Sequence, residues 1–426
     1  MANSFDSNIT RKLARVFLDK FDSQRVMSKN VNTQLLSGKF NPSSGDTVDF
    51  KRPTDYKSVS TAAGDISGSS PSDIIAGKAS GVVQNYRTVF VDYNEADEAI
   101  KMDQLDQLLA PMANRMVTDL ELDYADFMMK NCGLVAGTPG EGVATWDEVA
   151  EAGAVMQSAG IPMDSTWCYA INPYTQRSLA SNQRSLGAGG VAGGIIKSAH
   201  ERAILTDDFA GMRVMSATTL ASFTTPASAD KVGAIVGNPA VTYLAAKDTM
   251  TQDIGVTGFS AALVVKAGER VTVAGTYLNN LSTRQPILDE TGANVLWSGV
   301  VTADVTLDGA GAGTLVVTGP AIYEANGAYN TVNRAIVAAD VITLSTAAAT
   351  TFQPNMFWHK EAFALGFVPI KKLYSTDTLA TTKDGIQMRV SKYSDGDANG
   401  QTVRFDIRPA YGVMNPFFAG HGYGVA

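Results

Sequence analysis

The chain has 426 residues, a formal net charge of −8 and a pI near 5.0, so it is long enough for two or three domains with a substantial core. The acidic balance argues against a protein that grips nucleic acid through its overall field, because such proteins usually present a basic surface. Its two cysteines, Cys132 and Cys168, lack C-x-x-C spacing, which argues against a disulfide framework or a cysteine zinc site and favours a reducing compartment.

The first residues carry charges where a secretory signal peptide needs its apolar core, and no apolar run reaches the roughly 18 residues of a membrane span. We therefore expect a soluble, unprocessed protein without a membrane partner. Within residues 8–22, apolar side chains recur at helical spacing, which predicts an amphipathic arm with a basic face. This arm is either a solvated helix or a docking element for an acidic partner. The docking alternative names Arg11, Lys12 and Arg15 as assembly contacts.

A long polar segment follows the arm. Two strand-like runs, Thr47–Lys51 and Val82–Tyr93, flank it, and twelve of the 28 residues from Pro53 to Ser80 are Ser, Thr or Gly. This pattern predicts an extended hairpin with a mobile tip. Loops longer than about 12–15 residues are uncommon unless they bind a partner or are disordered, so we expect a neighbouring subunit to use it. The basic residues expected to make assembly contacts here are Arg52, Lys57, Lys78 and Arg87.

Apolar residues recur every three to four positions from Asp103 to Asn131, which predicts an amphipathic helix roughly 43 Å long. Asp103 is a candidate N-cap and Gly133 a candidate stop. Pro111 removes a helical hydrogen bond, so we expect either a kink or a short helix followed by a longer one. The charged side chains are expected off the apolar stripe. Such a long helix indicates a structural spine.

Mixed helix and strand patterns continue after the spine, with a helix predicted at Trp146–Ser158, a strand at Cys168–Ile171 and a helix at Tyr174–Ser181. From Pro226 to Thr350 the helical periodicity fades and short apolar runs alternate with turn residues, which predicts an inserted all-β barrel or sandwich. The predicted strands there are Val241–Leu244, Ala262–Val265, Val271–Ala274, Leu315–Thr318 and Val341–Leu344.

Two further strands, around Ile386–Val390 and Val403–Ile407, are predicted from clean alternation of apolar and polar residues. The turn between them and the strand after it contain a pattern similar to the oxygen ligands of a calcium loop. The flanking helices of such a loop are missing, so we favour a plain hairpin turn and keep a cation site as the alternative. The candidate ligands are Asp395, Asp397, Asn399 and Asp406.

No other pattern points to catalysis or to a cofactor. The glycines around Gly187 lack the preceding buried strand of a dinucleotide site and predict a flexible loop. The three histidines, His200, His359 and His421, lie far apart in sequence, and we expect them to be structural or surface residues. These patterns therefore supply no candidate catalytic or cofactor-binding residues, and an enzyme with an unrecognised site is a distant third alternative.

Four ordered stretches resemble the major capsid (coat) proteins of tailed bacteriophages, in the short-tailed Salmonella-podovirus branch that carries an inserted domain. Each motif is weak alone, but the ordered set is specific and covers most of the chain. The stretches are Asn32–Leu36 with Phe50–Pro53; Asp65–Gly68 and Ile75–Ala79 with Glu98–Ile100 and Leu109–Pro111; Val265–Gly268 with Val271–Tyr277; and Asn355–Lys360 with Phe363–Leu365, Tyr393–Asn399 and Arg404–Asp406.

The resemblance implies an α+β protein with the Hong Kong 97-type capsid fold and an all-β insertion domain. We expect an N-arm at 1–40, an E-loop hairpin at 41–93 and a P-domain spine helix at 94–134. The P- and A-domains are then expected at 135–222 and 351–426, interrupted by a β-barrel-like insertion at 223–350.

The resemblance also implies partners. The chain is expected to be neither an enzyme nor a cofactor-binding protein. It is expected to assemble with itself as hexamers and pentamers in the bacterial host cytoplasm, together with a scaffolding protein and a portal, and a decoration protein is a further candidate partner. Packaged double-stranded DNA would be near it only non-specifically, in keeping with the acidic charge. The alternative from another class is an exported, β-rich, calcium-binding surface or adhesion protein.

Overall fold

The computed structural model of the chain describes most of it, and every structural statement below concerns the described residues. These are residues 14–21, 25–33, 47–52, 54–69, 71–94, 105–163, 167–186, 202, 205, 208–228, 230–325, 327–368, 370–374, 377–381, 386–395 and 400–425.

The elements are given in chain order. The helices are α1 (residues 14–21), α2 (Leu105–Lys130), α3 (Trp146–Ser158), α4 (Pro173–Leu186) and α5 (Tyr243–Ala246), with a 3₁₀ turn at Pro416–Phe418. The strands are β1 (Thr47–Lys51), β2 (Lys78–Val83), β3 (Arg87–Asn94), β4 (Leu134–Ala136), β5 (Trp167–Ile171), β6 (Asp208–Phe209), β7 (Met212–Ser216), β8 (Phe223–Thr224), β9 (Val232–Val236), β10 (Thr251–Thr257), β11 (Val264–Val265), β12 (Arg270–Tyr277), β13 (Leu296–Val301), β14 (Val305–Thr306), β15 (Gly313–Thr318), β16 (Val341–Leu344), β17 (Thr351–Phe352), β18 (Asn355–Trp358), β19 (Phe363–Phe367), β20 (Thr378–Thr381), β21 (Gln387–Asp395), β22 (Gly400–Ile407), β23 (Pro409–Val413) and β24 (Ala419–Gly422).

The described residues form two compact units, each built from segments that are distant in sequence. The first unit comprises the described parts of 1–49, 80–125 and 363–412. It contains two four-stranded sheets, with strand orders β1-β2-β23-β19 and β20-β21-β22-β3. In the second sheet β21 and β22 pair antiparallel, with Asp395 opposite Gly400, so the predicted hairpin is confirmed.

The second unit comprises the described parts of 50–79, 126–362 and 413–426. A six-stranded sheet in the order β4-β24-β18-β5-β7-β6 forms one half of it, and helix α3 packs on this sheet. Thr145 caps α3, since its hydroxyl accepts the Glu148 N–H while the Glu148 carboxylate accepts the Thr145 N–H. The predicted helix at Trp146–Ser158 is confirmed with both bounds.

The other half of the second unit is a closed six-stranded barrel, β10-β15-β13-β12-β16-β9. Strand β16 shows the alternation of buried and outward residues that is typical of such a barrel. Ile342 and Leu344 are buried there, and the residue before each of them is more exposed. Trp297 is fully buried and donates its indole N–H to the carbonyl of Gly319 at 2.9 Å. Buried side chains of the barrel and of the six-stranded sheet belong to one continuous apolar cluster, so the two halves share a core.

The spine helix is present as one element, Leu105–Lys130. Pro111 lies inside it, so of the two alternatives expected at this proline, a short helix followed by a longer one is not what the structure shows. Its buried face includes Met116, Leu120 and Tyr124, as the apolar stripe predicted. The predicted N-cap Asp103 lies outside the described residues. Charged residues four positions apart on this helix form two ion pairs, Arg115–Asp119 at 3.2 Å and Lys130–Asp126 at 2.5 Å.

Two strand predictions need correction. The run Val82–Tyr93 is not one strand: residues 84–86 separate β2 from β3, and the two strands join different sheets. The run Val241–Leu244 is not a strand either, because the Thr242 hydroxyl accepts the N–H of Ala245 and begins the short helix α5. At residues 241–244 this side-chain cap overrides a favourable apolar pattern.

Candidate assembly surfaces

The arm helix α1 covers its apolar face within its own unit. Phe17 is fully buried, and its ring stacks on that of Phe405 with centroids 4.2 Å apart and an interplanar angle of 11°. Phe21 is also fully buried. Arg15 is exposed on the other side, so the structure presents it to solvent as a docking contact requires. The other two arm candidates, Arg11 and Lys12, lie outside the described residues.

The segment after the arm is held by one buried carboxylate of the spine. Glu121 is 2 % exposed, and its oxygens accept the backbone N–H groups of Val26 at 3.3 Å, Met27 at 2.9 Å and Ser28 at 3.1 Å. The Ser28 hydroxyl also hydrogen-bonds to it. Three consecutive amides around one carboxylate form an anion-binding concavity, here occupied by the side chain of the protein itself.

Sequence reasoning missed Glu121, because it expected the charged residues of the spine to lie off the apolar stripe. The signal was present in the spacing. Glu121 lies four residues after Val117 and three before Tyr124, on the face that is buried. A carboxylate at such a position needs hydrogen-bond donors from another segment, and this requirement pointed to an anchor.

The loop between β1 and β2 exposes apolar side chains. Tyr56, Val59, Ile66 and Ile74 are 55 %, 51 %, 67 % and 78 % exposed, within a segment that is otherwise small and polar. Isolated exposed apolar residues are ordinary, but several of them within one segment of small polar residues are typical of a contact surface. The observed loop therefore has the composition and exposure of an interaction element.

The basic residues expected to make assembly contacts occupy different environments. Lys57 and Lys78 are exposed, as expected of contacts with a neighbour. Arg87 is partly buried and forms an ion pair with Asp123 of the spine helix. Its charge therefore already has a partner in the same subunit.

Arg52 does not have the exposed position expected of an assembly contact. It is 5 % exposed, and its guanidinium donates to the carbonyls of Lys78 and Val413, both at 3.1 Å, and to that of Met414. Burial lowers the pKa of this guanidinium to about 10. Arg52 therefore stabilises the base of the loop from inside, and the expectation of a surface role is corrected.

The candidate cation ligands are not brought together in the described part of the chain. Asp395 ends β21 at the hairpin, whereas Asp406 lies near the far end of β22. Asp406 is fully buried, and Arg389 and Arg404 donate to its two oxygens at 2.6 and 2.7 Å. Two guanidinium groups neutralise this carboxylate, so it does not need a metal ion. The remaining candidates, Asp397 and Asn399, lie outside the described residues.

A buried arginine joins the barrel to the six-stranded sheet. Arg270 on β12 is 1 % exposed, and its Nε donates to Nδ1 of His421 on β24 at 3.2 Å. Its Nη1 donates to the Ser298 hydroxyl at 2.8 Å, and its Nη2 donates to the carbonyl of Leu134 and lies 3.7 Å from Sγ of Cys132. No carboxylate among the described residues pairs with this guanidinium.

The groups around Arg270 are held neutral. Burial, and then the charge of Arg270, keep the pKa of His421 well below its ordinary value. Because Nδ1 of His421 accepts from Arg270, its Nε2 carries the proton and donates to the carbonyl of Met129 at 2.9 Å. Burial raises the pKa of the Cys132 thiol to about 11. Hydrogen bonds from one buried cation to His421, Ser298 and Leu134 therefore hold the barrel and the sheet together at this junction.

The described residues also limit other functions. None of their helices is long and apolar enough to cross a membrane. They contain no cluster of three or more His, Cys, Asp or Glu side chains that could hold a metal ion. His421 and His359 are buried structural residues, as expected, and His200 lies outside the described part of the chain.

Comparison with known proteins gives a family. The sequence model of the family described as "P22 coat protein - gene protein 5" matches residues 1–424. A "Major capsid protein" of Acyrthosiphon pisum secondary endosymbiont phage 1 is 36 % identical over 429 aligned positions, covering 100 % of both chains.

Two of the solved structures that match this chain at low identity are the following. A structure from Mycobacterium phage Che8 covers 93 % of this chain and 90 % of its own, with 11 % identity and a TM-score of 0.48. The mature capsid of bacteriophage PhiM1 covers 89 % of this chain and 82 % of its own, with 8 % identity and a TM-score of 0.41.

The two sequence matches define a structural coat protein of a phage and not an enzyme. The chain belongs to the P22 coat protein family. This membership agrees with the α+β, Hong Kong 97-type capsid fold that the sequence resemblance implied, and it favours the capsid interpretation over an exported adhesion protein. As a capsid protein the chain is part of the virion.

Proposed function

We propose that this chain is the major subunit of an icosahedral phage shell and assembles with copies of itself as hexamers and pentamers. The loop between β1 and β2 carries the proposal, because its apolar side chains are exposed on a subunit whose family builds capsids. A second copy of the chain is the partner that would bury these side chains. Many weak contacts of this kind add through multivalency in a closed shell.

The other partners follow from the resemblance. A scaffolding protein would guide assembly in the bacterial host cytoplasm, a portal would replace one pentamer, and a decoration protein is a further candidate. The shell would enclose double-stranded DNA without gripping it, in agreement with the net charge of −8. Arg15, Lys57 and Lys78 are exposed, and we propose that they contact acidic partners.

The division into domains is also a proposal. A barrel whose strands run from Val232 to Leu344 supports an insertion at 223–350. The continuous helix Leu105–Lys130 supports a P-domain spine at 94–134. The arm at 1–40, the E-loop at 41–93 and the flanking segments at 135–222 and 351–426 complete this proposed organisation.

Electron microscopy tests the function. The chain would be co-expressed with the scaffolding protein of its own phage and examined by negative stain. Closed shells several hundred ångströms across are the expected result. Only monomers, with or without added calcium, would contradict the proposal. A chain in which Ile66 and Ile74 are both replaced by Ser serves as the contact variant, because both side chains are exposed in the subunit and their replacement leaves the core intact.

A further inference from the structure

The base of the exposed loop is clamped to the barrel by one tyrosine. The hydroxyl of Tyr329 accepts the backbone N–H of Asp55 at 2.9 Å and donates to the carbonyl of Ile75 at 3.4 Å. Asp55 enters the loop and Ile75 leaves it, so a single oxygen ties both ends. Tyr329 is 8 % exposed, and its ring stacks on that of Tyr243 with centroids 3.8 Å apart and an interplanar angle of 2°.

An ion pair reinforces the entering end. Nη2 of Arg284 lies 2.5 Å from Oδ2 of Asp55, and Nη1 of Arg284 donates to the carbonyl of Asn330 at 3.3 Å. Arg284 adopts a left-handed backbone conformation with φ of 58°, which is uncommon for a residue other than glycine. A residue keeps such an uncommon conformation only where the surrounding structure holds it in place. The ion pair between Arg284 and Asp55 is therefore fixed in position.

A second acid holds the leaving end. Oδ1 of Asp248 accepts the backbone N–H of Lys78 at 3.1 Å, while its Oδ2 pairs with Nζ of Lys247 at 2.6 Å. Gly77 just before it has no room for a side chain, because a Cβ there would lie 2.7 Å from the carbonyl oxygen of Lys247. The backbone of the loop therefore lies directly against the segment that follows helix α5.

We propose that these four side chains, Asp55, Asp248, Arg284 and Tyr329, form a collar by which the barrel sets the direction of the loop. The loop and the barrel then act as one body when the loop contacts a second copy of the chain. The collar is a positioning device, since it touches the base of the loop and leaves the exposed apolar side chains free for the partner. This inference rests on the proposed assembly function and adds the residues that aim the contact.

The first test uses Tyr329→Phe, which removes the shared hydroxyl and keeps the ring on Tyr243. We expect the soluble subunit to keep its unfolding midpoint within a degree or two, while hydrogen exchange of the Asp55 amide accelerates about tenfold, as for the loss of one to two hydrogen bonds. Tyr323→Phe is the matched control, because the hydroxyl that bonds to Asp55 and Ile75 in the collar is that of Tyr329. Unchanged exchange at Asp55 in Tyr329→Phe would overturn the proposal.

The second test measures assembly with scaffolding protein by light scattering. Asp55→Arg and Arg284→Asp are each expected to slow shell formation at least severalfold, and the double variant should recover most of the rate because it restores the pair with reversed charges. Asp readily adopts the left-handed conformation required at position 284. Recovery in the double variant separates a positioning role from a general loss of folding.

The loop variant with Ile66 and Ile74 replaced by Ser distinguishes the proposal that the loop contacts a second subunit from the proposal that the collar positions the loop. If it fails to assemble while all collar variants assemble at the wild-type rate, the loop contact stands and the collar proposal is overturned. If it assembles normally, the loop contact is overturned and the collar falls with it. Impaired assembly in both sets, with rescue by the charge swap, supports the collar.

Discussion

Nε of Arg270 donates to Nδ1 of His421 at 3.2 Å in a buried site, and no carboxylate among the described residues pairs with the guanidinium. The hydrogen bond requires a neutral imidazole, and the adjacent guanidinium opposes its protonation. Since Arg270 belongs to the barrel and His421 to the six-stranded sheet, the proton state of one histidine bears on how firmly the two halves of this unit are joined.

Acid is expected to weaken this unit. The folded pKa of His421 lies well below its ordinary value, so below about pH 6.5 the unfolded chain binds a proton that the folded chain does not. The free energy of unfolding therefore falls as pH decreases, by up to about 1.4 kcal/mol per pH unit from this group, and its contribution is fully retained above pH 6.5. Urea unfolding at pH 5.0 and 7.0 measures the difference.

The control for the pH effect is His421→Gln, which cannot titrate and can still accept a hydrogen bond from Arg270. Carboxylates also titrate in acid, so the comparison is between the two pH slopes and not their absolute values. The variant should show a shallower loss of stability between pH 7.0 and 5.0. Equal slopes in the two proteins would mean that His421 does not carry the effect.

Glu121 is expected to be the most sensitive acid of the spine helix. Glu121→Gln keeps its size but removes the charge that three backbone amides and a hydroxyl surround. Hydrogen bonds to charged groups contribute about 1.5–3 kcal/mol each, so we expect a loss of at least about 2 kcal/mol, measured by urea unfolding. Asp119→Asn is the matched control, with an expected change of about 0.5 kcal/mol or less because its pair with Arg115 is largely exposed.

The rate at which Cys132 reacts with a thiol reagent reports whether the barrel covers this cysteine. Cys132 is fully buried with a pKa of about 11, so in the native subunit it should react with a thiol reagent far more slowly than an exposed cysteine. A chain in which residues 226–350 are replaced by a short Gly/Ser linker lacks Arg270 and Ser298. We expect rapid labelling of Cys132 in that chain, together with loss of a cooperative thermal transition, because the barrel shares its core with the sheet.

Cys168→Ser in both backgrounds leaves Cys132 as the only thiol of the chain. A deletion chain that unfolds cooperatively and still protects Cys132 would show that the barrel is a separable domain.

Two substitutions in the arm helix distinguish its contribution to folding stability from its contribution to assembly. Phe17→Ala removes the ring stacked on Phe405 and is expected to cost about 3–5 kcal/mol of unfolding free energy. Arg15→Glu reverses an exposed charge and should leave stability unchanged while reducing assembly with scaffolding protein. Light scattering and negative-stain microscopy give the assembly result. Normal shells from Arg15→Glu would dismiss Arg15 as a docking contact.

Calcium is not expected to bind at the turn that follows Asp395. Asp406 is already neutralised by Arg389 and Arg404 and lies far along β22 from the turn. Titration calorimetry should therefore show no micromolar binding, and millimolar calcium should not raise the melting temperature. A stoichiometric heat that disappears in Asp395→Asn would restore the cation alternative.

Periodicity predicted the elements whose stability comes from a continuous apolar face. It located the spine helix and strand β16, and it indicated an all-β segment where the closed barrel lies. It failed where a single polar contact decides the local structure, as at Thr242, whose side chain begins a helix in an apolar run. One-dimensional patterns carry no information about such caps when two conformations have similar propensities.

The anchors were harder to predict because their partners are distant in sequence. Glu121 meets amides nearly one hundred residues earlier, and Arg270 meets His421 about 150 residues later. In the sequence, each of these two residues was visible only as a charged residue among apolar ones.

Arg52 shows the opposite error. A basic residue beside a long loop suggested a surface contact, because the sequence does not show the carbonyl groups that surround its guanidinium.

The strand order of the six-stranded sheet has a consequence for synthesis on the ribosome. β24 lies between β4, with which it pairs in parallel, and β18, with which it pairs antiparallel. Neither neighbour can complete its ladder until residues 419–422 have been translated and have left the exit tunnel. A nascent chain therefore lacks the strand that joins β4 to β18 through most of its synthesis, and the six-stranded sheet can form only after these residues have emerged.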